Sequence, residues 1–457
     1  MENNAEILEK IQELIEEKNL KEIKSILNEL SEVDTAEVLN ELDKDVNLLV
    51  VFRLLNKDTS SEIFVNLDSD IQEYIINSMT DLEIGGIIEE LFTDDAVDML
   101  EEMPASVVKR VLRVAKPETR KVINQFLKYP ESSAGGVMTS EFVDIRSNMT
   151  RKQAVARLRQ DADMVENVYL CFVTDNTRVL QGVVTIKDLL LADDDDLISD
   201  IMDTHFHCAH TLDDQEQVAL DFAKYDLVSL PVLDEEDRLV GIITIDDIVD
   251  VIQEEATEDF MKMNAIAPTE DPYLKLNVFK IAKSRIVWLL VLMFSSMISG
   301  LILEGFEEAI SVVPLLVVFM PMLMDTGGNS GSQAATTIIR GLAINEIKPK
   351  DILKVVWKEV RVALLCGIVL CSFVAIRVLI QYPASSNPDG GWKLIVVLTI
   401  SMMVTITCAK LLGAVLPILA KKLKLDPAIM AAPMITTMVD ATALLIYFSL
   451  AKLMYNI

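Results

Sequence analysis

The sequence predicts a multidomain protein with an α-helical superhelical N-terminal domain, an α/β tandem repeat and an all-α transmembrane domain of five helices. Three observations predict this fold class. Apolar residues recur every three or four positions in residues 1–130, as in short amphipathic helices. Residues 131–258 contain an internal repeat. Apolar segments long enough to cross a bilayer begin only near residue 285.

Charge divides the chain near residue 270. Residues 1–270 contain 60 acidic and 24 basic residues, a formal charge of −36, whereas the remainder carries +6. The acidic half does not suit nucleic acid, because phosphate binding needs clustered lysine and arginine. Multivalent cations are its natural counterions, and a merely soluble acidic surface is the alternative interpretation.

The repeat is a strand–turn–strand–helix pattern that occurs in residues 131–199 and again in 200–258. QGVVTIKDLL at 181–190 matches VGIITIDDIV at 240–249, with the GxxTxxD motifs 59 residues apart. This pattern resembles a tandem pair of CBS domains. In that family the motif's Thr and Asp can contact an adenosine nucleotide, although many pairs bind nothing there. The resemblance thus implies possible nucleotide contacts, such as those of ATP, at Thr185, Asp188, Thr244 and Asp247.

A second candidate site lies in the segment HFHCAH of the second repeat. His205, His207, Cys208 and His210 alternate as they would on a strand, and zinc favours nitrogen and sulfur ligands. The segment also aligns with the opening strand of the first repeat. An ordinary half-exposed strand is therefore the favoured interpretation.

Five membrane spans are predicted in a transmembrane domain at 283–457, each supplying the roughly 20 apolar residues that a bilayer requires. They lie near residues 285–306, 311–339, 358–382, 393–420 and 428–452, and residues 259–282 predict an amphipathic connecting helix. Lysine and arginine cluster before span 1, between spans 2 and 3 and between spans 4 and 5. The positive-inside rule then places the N-terminus in the cytoplasm and the C-terminus outside the cell membrane.

The second span contains PMLMDTGGNSGSQ at 321–333. Polar and small residues crowd into it, namely Asp325, Gly327, Gly328, Asn329, Gly331 and Gln333. Polar side chains at this depth are costly unless they face water or a partner, so they predict an ion path. The alternative is that small residues pack two helices together and amides bridge them.

The fifth span carries a second intramembrane carboxylate, Asp440, in AAPMITTMVDATALLIYF. Pro433 can open backbone carbonyls, and Thr436 can line a hydrated path. No lysine or arginine lies within ten residues of Asp440 in the sequence, which favours a cation as its partner. A protonated carboxyl bonded between helices is the alternative.

Together, the acidic helical domain, the ESSAGGVMT segment, the CBS pair, the connecting helix, the five spans and PMLMDTGGNSGSQ resemble the MgtE family of magnesium channels. The resemblance covers essentially the whole chain, and GGNSGSQ with PMITTMVDAT is specific in combination. It implies a homodimer with an ion path between its membrane subunits. It also implies that the cytosolic part closes this path when internal Mg²⁺ is high.

The resemblance further implies individual roles. Asp440 would be the main pore carboxylate, Asn329 and its neighbouring glycines would line the path, and the role of Asp325 is open. At the cytosolic mouth, Asp426 would meet Glu255, Glu258 and Asp259. The regulatory ion sites would include Asp94, Asp95, Asp98 and Asp247.

The predicted function is therefore magnesium influx across the cell membrane, gated shut by Mg²⁺ bound to the cytosolic domains. Hydrated Mg²⁺ needs few carboxylates and several other oxygen ligands, which agrees with this composition. An intramembrane metalloprotease would need HExxH, which the chain lacks, so we expect no enzyme activity. An ion-coupled exchanger of divalent cations and a non-conducting membrane Mg²⁺ sensor are the alternatives.

Overall fold

The structure is a computed structural model that describes residues 2–42, 44, 46–165, 167–269, 273–274, 276–382, 391–430 and 432–456. It divides into two compact units, Met1–Ile252 and Gln253–Ile457. The division falls inside one long helix, which spans residues 245–263.

Short helices form the N-terminal domain, as predicted, and its described residues contain ten of them. They are α1 Glu2–Glu16, α2 Leu20–Leu27, α3 Glu32–Asn40, α4 Val46–Phe52, α5 Lys57–Val65, α6 Ser69–Ser78, α7 Asp81–Ile88, α8 Thr93–Glu102, α9 Ala105–Val114 and α10 Pro117–Phe126. Polar caps start several of them: the Ser31 side chain accepts the Asp34 N–H, and Thr80 forms a capping box with Glu83. Their apolar faces share one core, in which Ile23 and Ile75 are fully buried.

The tandem repeat forms two three-stranded sheets of the same topology, β1-β2-β3 and β4-β5-β6. The first repeat comprises α11 Ala134–Val137, β1 Asp144–Arg146, α12 Arg151–Asp161, β2 Leu170–Thr174, β3 Leu180–Thr185 and α13 Ile186–Leu191. The second comprises α14 Ile198–Ile201, β4 Ala209–His210, α15 Gln215–Tyr225, β5 Ser229–Leu233, β6 Leu239–Thr244 and the start of α16 Ile245–Met263. In each sheet the first two strands are parallel and the last two antiparallel. The predicted CBS pair is confirmed.

The two repeats exchange their opening segments. Thr139, which precedes β1, exchanges two backbone hydrogen bonds with Ile242 of β6, and Asp203, which precedes β4, does the same with Val183 of β3. A Cβ on Gly241 would lie 2.7 Å from the Thr139 carbonyl oxygen, so glycine is required at this position of the motif. Neither repeat is complete without the other.

The connecting helix differs from the one predicted at 259–282. Helix α16 begins at Ile245 inside the second repeat and ends at Met263. Ala265 then takes a left-handed backbone conformation and Pro268 follows, a combination that stops a helix. Of the remaining predicted range, residues 270–272 and 275 lie outside the described part of the chain.

In its described residues, the second unit has five long helices and one short one: α17 Val278–Glu304, α18 Glu307–Val312, α19 Leu315–Ala343, α20 Ile352–Gln381, α21 Gly391–Lys422 and α22 Ala432–Tyr455. Among the described residues, four helices are long and apolar enough to cross a membrane: α17, α20 with the 3₁₀ turn before it, α21 and α22. Helix α19 has 29 residues but is not one of these four, because its polar segment lowers its mean hydropathy. The helical transmembrane class is confirmed, and the crossing by α19 stays a prediction.

Helices α19, α21 and α22 form the centre of this unit. Their large buried side chains include Phe319, Leu398 and Phe448. Helices α19 and α21 touch backbone to backbone, since a Cβ on Gly413 would lie only 2.2 Å from the Gly331 carbonyl oxygen. Two glycines at one crossing point therefore fix the position of α19 against α21.

Candidate ion path and cytosolic acidic site

Helix α19 has two faces of different character. Asp325, Asn329 and Gln333 are exposed and follow one another at four-residue intervals, which places them on one face. The predicted path residues Gly327, Gly328 and Gly331 are instead buried. The sequence segment thus separates into a polar exposed face and a small-residue packing face.

The glycine face is held against α22. A Cβ on Gly328 would lie 2.6 Å from Cγ2 of Thr436, and one on Gly331 would lie 3.0 Å from Cγ2 of Ile435. The Ser332 and Thr436 hydroxyls are 3.2 Å apart, and both donate to the Ala432 carbonyl oxygen. Within this chain the glycines pack α19 against its neighbours, and their part in lining an ion path stays a prediction.

Asp440 lies on α22, partly buried, one turn beyond Thr436. Its Oδ1 atom is buried and has no hydrogen-bond partner among the described residues. Pro433 was expected to free backbone carbonyls inside the helix, but its position does not require this. It occupies the first turn of α22, where the missing N–H leaves no helical hydrogen bond unmade.

At the start of the second unit, an ion-pair cluster joins the end of α16 to the segment before α22. The Lys262 Nζ atom lies 2.5 Å from Oε1 of Glu258 and 2.8 Å from Oδ2 of Asp426. Asp426 also accepts the Ala428 N–H at 2.8 Å. Burial and the charge of Asp426 raise the pKa of Asp259 above its usual range.

This cluster brings together Glu258, Asp259 and Asp426 as predicted from the resemblance, but it contains a cation that sequence reasoning missed. Burial alone would lower the pKa of Lys262, yet its hydrogen bonds to Asp426 and Glu258 hold that pKa above the usual range. The signal was available, since Lys262 stands four residues after Glu258 on a helix. Glu255 lies one turn earlier and is partly buried.

In the first unit, carboxylates of α8 and α16 come close together. Burial, followed by the charges of Asp247, Asp246 and Glu141, raises the pKa of Asp95 to about 6. Burial raises the pKa of Asp247 to about 6 as well, helped by the charge of Asp246 and opposed by the hydrogen bond from Thr244. Both carboxylates therefore lie where negative charge is destabilised. Of the two other α8 candidates, Asp94 is buried and Asp98 is exposed.

Glu141 fixes this arrangement, and sequence reasoning missed it. Its carboxylate accepts hydrogen bonds from the Thr93 N–H at 3.2 Å and from the hydroxyls of Thr93, Thr139 and Ser140 at 2.7, 2.6 and 3.0 Å. These bonds tie the first residue of α8 to the opening segment of the first repeat. No motif marks Glu141 in the sequence, because its partners come from two domains.

Family models match most of this architecture. The MgtE divalent cation transporter model matches residues 320–450, the MgtE intracellular N domain model matches 45–132, and the CBS domain model matches 134–195 and 198–254. The magnesium transporter MgtE of Thermus thermophilus is 35% identical over 448 residues, or 97% of each chain. The chain belongs to the MgtE family. The Bacillus subtilis magnesium transporter MgtE is 31% identical and covers 98% of this chain and 97% of its own.

Two solved structures resemble about half of the chain. The crystal structure of the soluble part of a magnesium transporter has a TM-score of 0.52 at 31% identity, covering 55% of this chain and 99% of that one. The cytosolic domain of the Mg²⁺ channel MgtE in complex with ATP has a TM-score of 0.50 at 34% identity, covering 53% and 98%. The family resemblance inferred from sequence is therefore confirmed.

In this MgtE chain both GxxTxxD motifs lie where a strand passes into a helix, and Thr185 caps its helix by accepting the Asp188 N–H. The Thr185 hydroxyl donates to Oδ2 of Asp188 at 2.5 Å, and the Thr244 hydroxyl donates to Oδ2 of Asp247 at 2.6 Å. Each threonine and aspartate pair thus lies at the start of the helix that follows its strand. A nucleotide that contacts these side chains would compete with the hydrogen bonds between each threonine and its aspartate.

The histidine segment of this MgtE chain forms the opening of the second repeat, as its favoured interpretation expects. The His207 ring stacks on Tyr225 with centroids 3.8 Å apart, and His210 belongs to the short strand β4. His205 and Cys208 are exposed. Across the described residues, no three His, Cys, Asp or Glu side chains converge so that they could hold a metal ion.

Proposed function

We propose that this chain is a Mg²⁺-selective channel that admits magnesium across the cell membrane and closes when Mg²⁺ binds its cytosolic domains. The observation that carries the proposal is the exposed polar face of α19 beside Asp440, in a unit of membrane-spanning helices. Membership of the MgtE family, whose relatives are named magnesium transporters, supports the choice of ion. The N-terminus is cytoplasmic and the C-terminus outside, on the distribution of lysine and arginine.

The chemistry of the polar face suits a hydrated divalent ion. Mg²⁺ dehydrates reluctantly and is usually bound through one or two carboxylates while it keeps several waters. Asp440 supplies a carboxylate, and Asn329 and Gln333 supply amide oxygens along the same helix face that carries Asp325. In a homodimer two copies of this face would flank one axis, which gives the polar residues an aqueous path instead of lipid.

Gating rests on the acidic site of the first unit. Asp95 and Asp247 are destabilised as anions by burial and by neighbouring carboxylates, so a bound Mg²⁺ stabilises the conformation that brings them together. Asp94 and Asp98 extend this site along α8. Because the ion binds one conformation better than the other, the populations shift toward the closed state as internal Mg²⁺ rises.

The cluster at the end of α16 gives the gate a second contact. Glu258 and Asp259 lie on the helix that leaves the second repeat, and Asp426 lies just before α22, the helix that carries Asp440. A movement of α16 therefore acts directly on the segment that leads into the ion path. Glu255, one turn earlier, adds negative charge to the same end of the helix.

ATP at the CBS pair is a further part of the proposal. A related cytosolic domain was solved in complex with ATP, and this chain keeps the Thr and Asp of both motifs. Binding through Thr185 and Asp188, or through Thr244 and Asp247, would tune the gate without chemistry on the nucleotide. Loss of ATP binding in the Thr185→Val or Thr244→Val variant would identify the repeat involved.

Mg²⁺ flux into proteoliposomes tests the ion path, with wild type, Asp440→Asn and Glu308→Gln compared side by side. We expect rapid wild-type flux, loss in Asp440→Asn and no change in Glu308→Gln, whose exposed carboxyl lies on the short helix α18. Equal flux in all three proteins would remove Asp440 from the path. Flux that requires a counter-ion gradient would favour an exchanger, and no flux at low internal Mg²⁺ would favour a sensor.

A further inference from the structure

Asp325 is a carboxylate on the exposed face of α19, well inside the predicted second span. It lies ten residues from the first residue of the helix, Leu315, which is about 15 Å along the axis. A charged side chain at this depth is rare and costly unless it meets water, an ion or another protein surface. The exposed position of Asp325 therefore requires a functional explanation, as do the positions of Asn329 and Gln333.

The packing of α19 against α22 places Asp325 level with Asp440. Gly328 abuts Thr436, and a Cβ on Gly327 would lie 3.0 Å from Cγ1 of Val439. The two helices run in opposite directions, so one turn back along α19 and one turn forward along α22 reach the same depth.

Polar atoms that lack a hydrogen-bond partner collect at this depth. Among the described residues they include Oδ1 of Asp440 and Oγ1 of Thr405 on α21, and the Thr405 side chain is 1% exposed. The Thr405 methyl group would lie 2.7 Å from a Cβ on Gly327. Thr405 therefore lies close to the depth of the two carboxylates. Buried polar groups are normally satisfied, so this concentration indicates a missing polar occupant.

No cation of the described chain compensates the two carboxylates, because neither Asp325 nor Asp440 forms an ion pair there. Two carboxylates at one level repel each other, and a divalent cation between or beside them removes that repulsion. A monovalent cation neutralises only half of the charge. The pair therefore favours divalent ions more strongly than a single carboxylate would.

We infer that Asp325 and Asp440 together form the cation-binding level of the ion path and that Asp325 determines the preference for divalent over monovalent cations. This inference rests on the proposed channel function and deepens it. The occupant is a hydrated divalent cation, which keeps most of its waters and is oriented by two carboxylates of each chain. The glycine contacts hold both carboxylates at one depth.

The test compares Asp325→Asn, Asp325→Glu and wild type in proteoliposomes. Two quantities are measured: the Mg²⁺ concentration for half-maximal flux, and the Mg²⁺ to K⁺ permeability ratio from the reversal potential. We expect Asp325→Asn to raise the first and lower the second about tenfold, the effect of removing one nearby charge. Asp325→Glu keeps the charge and changes each by no more than about twofold.

The outcomes separate this inference from the channel proposal. Asp325→Asn with both quantities at wild-type values, while Asp440→Asn has lost flux, would overturn the inference and leave the channel standing. Size-exclusion chromatography of each variant checks assembly, and Glu308→Gln is the matched control for loss of an exposed carboxylate. If Asp325→Asn does not assemble, Asp325→Ser carries the same expectation and the same overturning result.

Discussion

The two units of this protein both bring a pair of carboxylates together, and they do so in opposite ways. Asp95 and Asp247 come from two domains of the first unit, among further acids such as Asp246. Asp325 and Asp440 lie on neighbouring helices that are locked by direct glycine contacts. Two carboxylates on domains that can move apart suit a sensor, because the repulsion between the carboxylates can drive the domains apart. A pair on locked helices suits a pore, because its geometry must stay constant.

The comparison between the two GxxTxxD motifs sharpens this distinction. Thr185–Asp188 and Thr244–Asp247 make the same hydroxyl–carboxylate hydrogen bond, at 2.5 and 2.6 Å. Asp247 lies beside Asp95, and its pKa is raised to about 6. Packing of α8 against one copy of a repeated motif has thus changed the environment of an otherwise equivalent aspartate.

The largest expected effect comes from removing residues 1–262. This truncation takes away the acidic site and α16 but leaves α17 to α22, so the protein should conduct Mg²⁺ and no longer close as internal Mg²⁺ rises. The measurement is flux at low and high internal Mg²⁺, with the full chain as control. Mg²⁺ inhibition retained in the truncated protein would defeat the assignment of sensing to the first unit.

The acidic pair should also make the stability of the first unit depend on pH. The folded-state pKa of about 6 exceeds the usual 3.8 for Asp95 and Asp247. Their contribution to folding stability is therefore fully present below about pH 4 and is lost as the pH rises through 6. We expect a loss of about 3 kcal/mol for each of the two carboxylates, given 1.36 kcal/mol per pKa unit.

Thermal unfolding of a fragment of residues 1–263 in EDTA measures this dependence. The Asp95→Asn, Asp247→Asn double variant should lack it, and Mg²⁺ at pH 7 should restore stability to the wild-type fragment only. Identical pH profiles for wild type and double variant would show that the two carboxylates do not repel each other in the folded unit.

The locked helices of the membrane unit can be tested through Gly328. A Cβ there would lie 2.6 Å from the Thr436 methyl, so Gly328→Ala should push α19 from α22 and cost about 2 kcal/mol of unfolding free energy. Gly300→Ala is the matched control, because nothing lies within 4 Å of a Cβ at that position of α17. Thermal unfolding in detergent measures both, and equal stability would argue against a rigid α19–α22 contact.

The smallest expected effect distinguishes the two motifs. Asp247→Asn should raise the internal Mg²⁺ concentration for half-closure about tenfold, equivalent to 1.4 kcal/mol. Asp188→Asn removes the matching cap from α13 and should leave that concentration unchanged. Flux against internal Mg²⁺ measures both variants, and a shift of the same size in each would mean that the cap, not the acidic site, sets closure.

Much of the fold could be predicted from the sequence because its signals are local. Helical periodicity predicted the N-terminal domain, the matched motifs predicted the paired repeats, and apolar length predicted the membrane helices. The connecting helix was misplaced because α16 continues without a break from the second repeat and stops at Ala265, whose left-handed conformation has no strong sequence signal. The contribution of Glu141 was invisible for a different reason, since its partners belong to two separate segments.

By itself, the sequence determined the family, the order of the domains and the types of residue available to bind a cation, since each follows from composition, spacing or a local motif. Tertiary structure alone decided which of those residues are buried in helix packing, which are exposed and which lie close together. It turned the glycines of α19 toward α22 and left Asp325, Asn329 and Gln333 exposed, and it placed Asp95 beside Asp247 but not beside Asp188. The physical reason is that burial and the electric field at a carboxylate depend on neighbours distant in the chain, which no local pattern records.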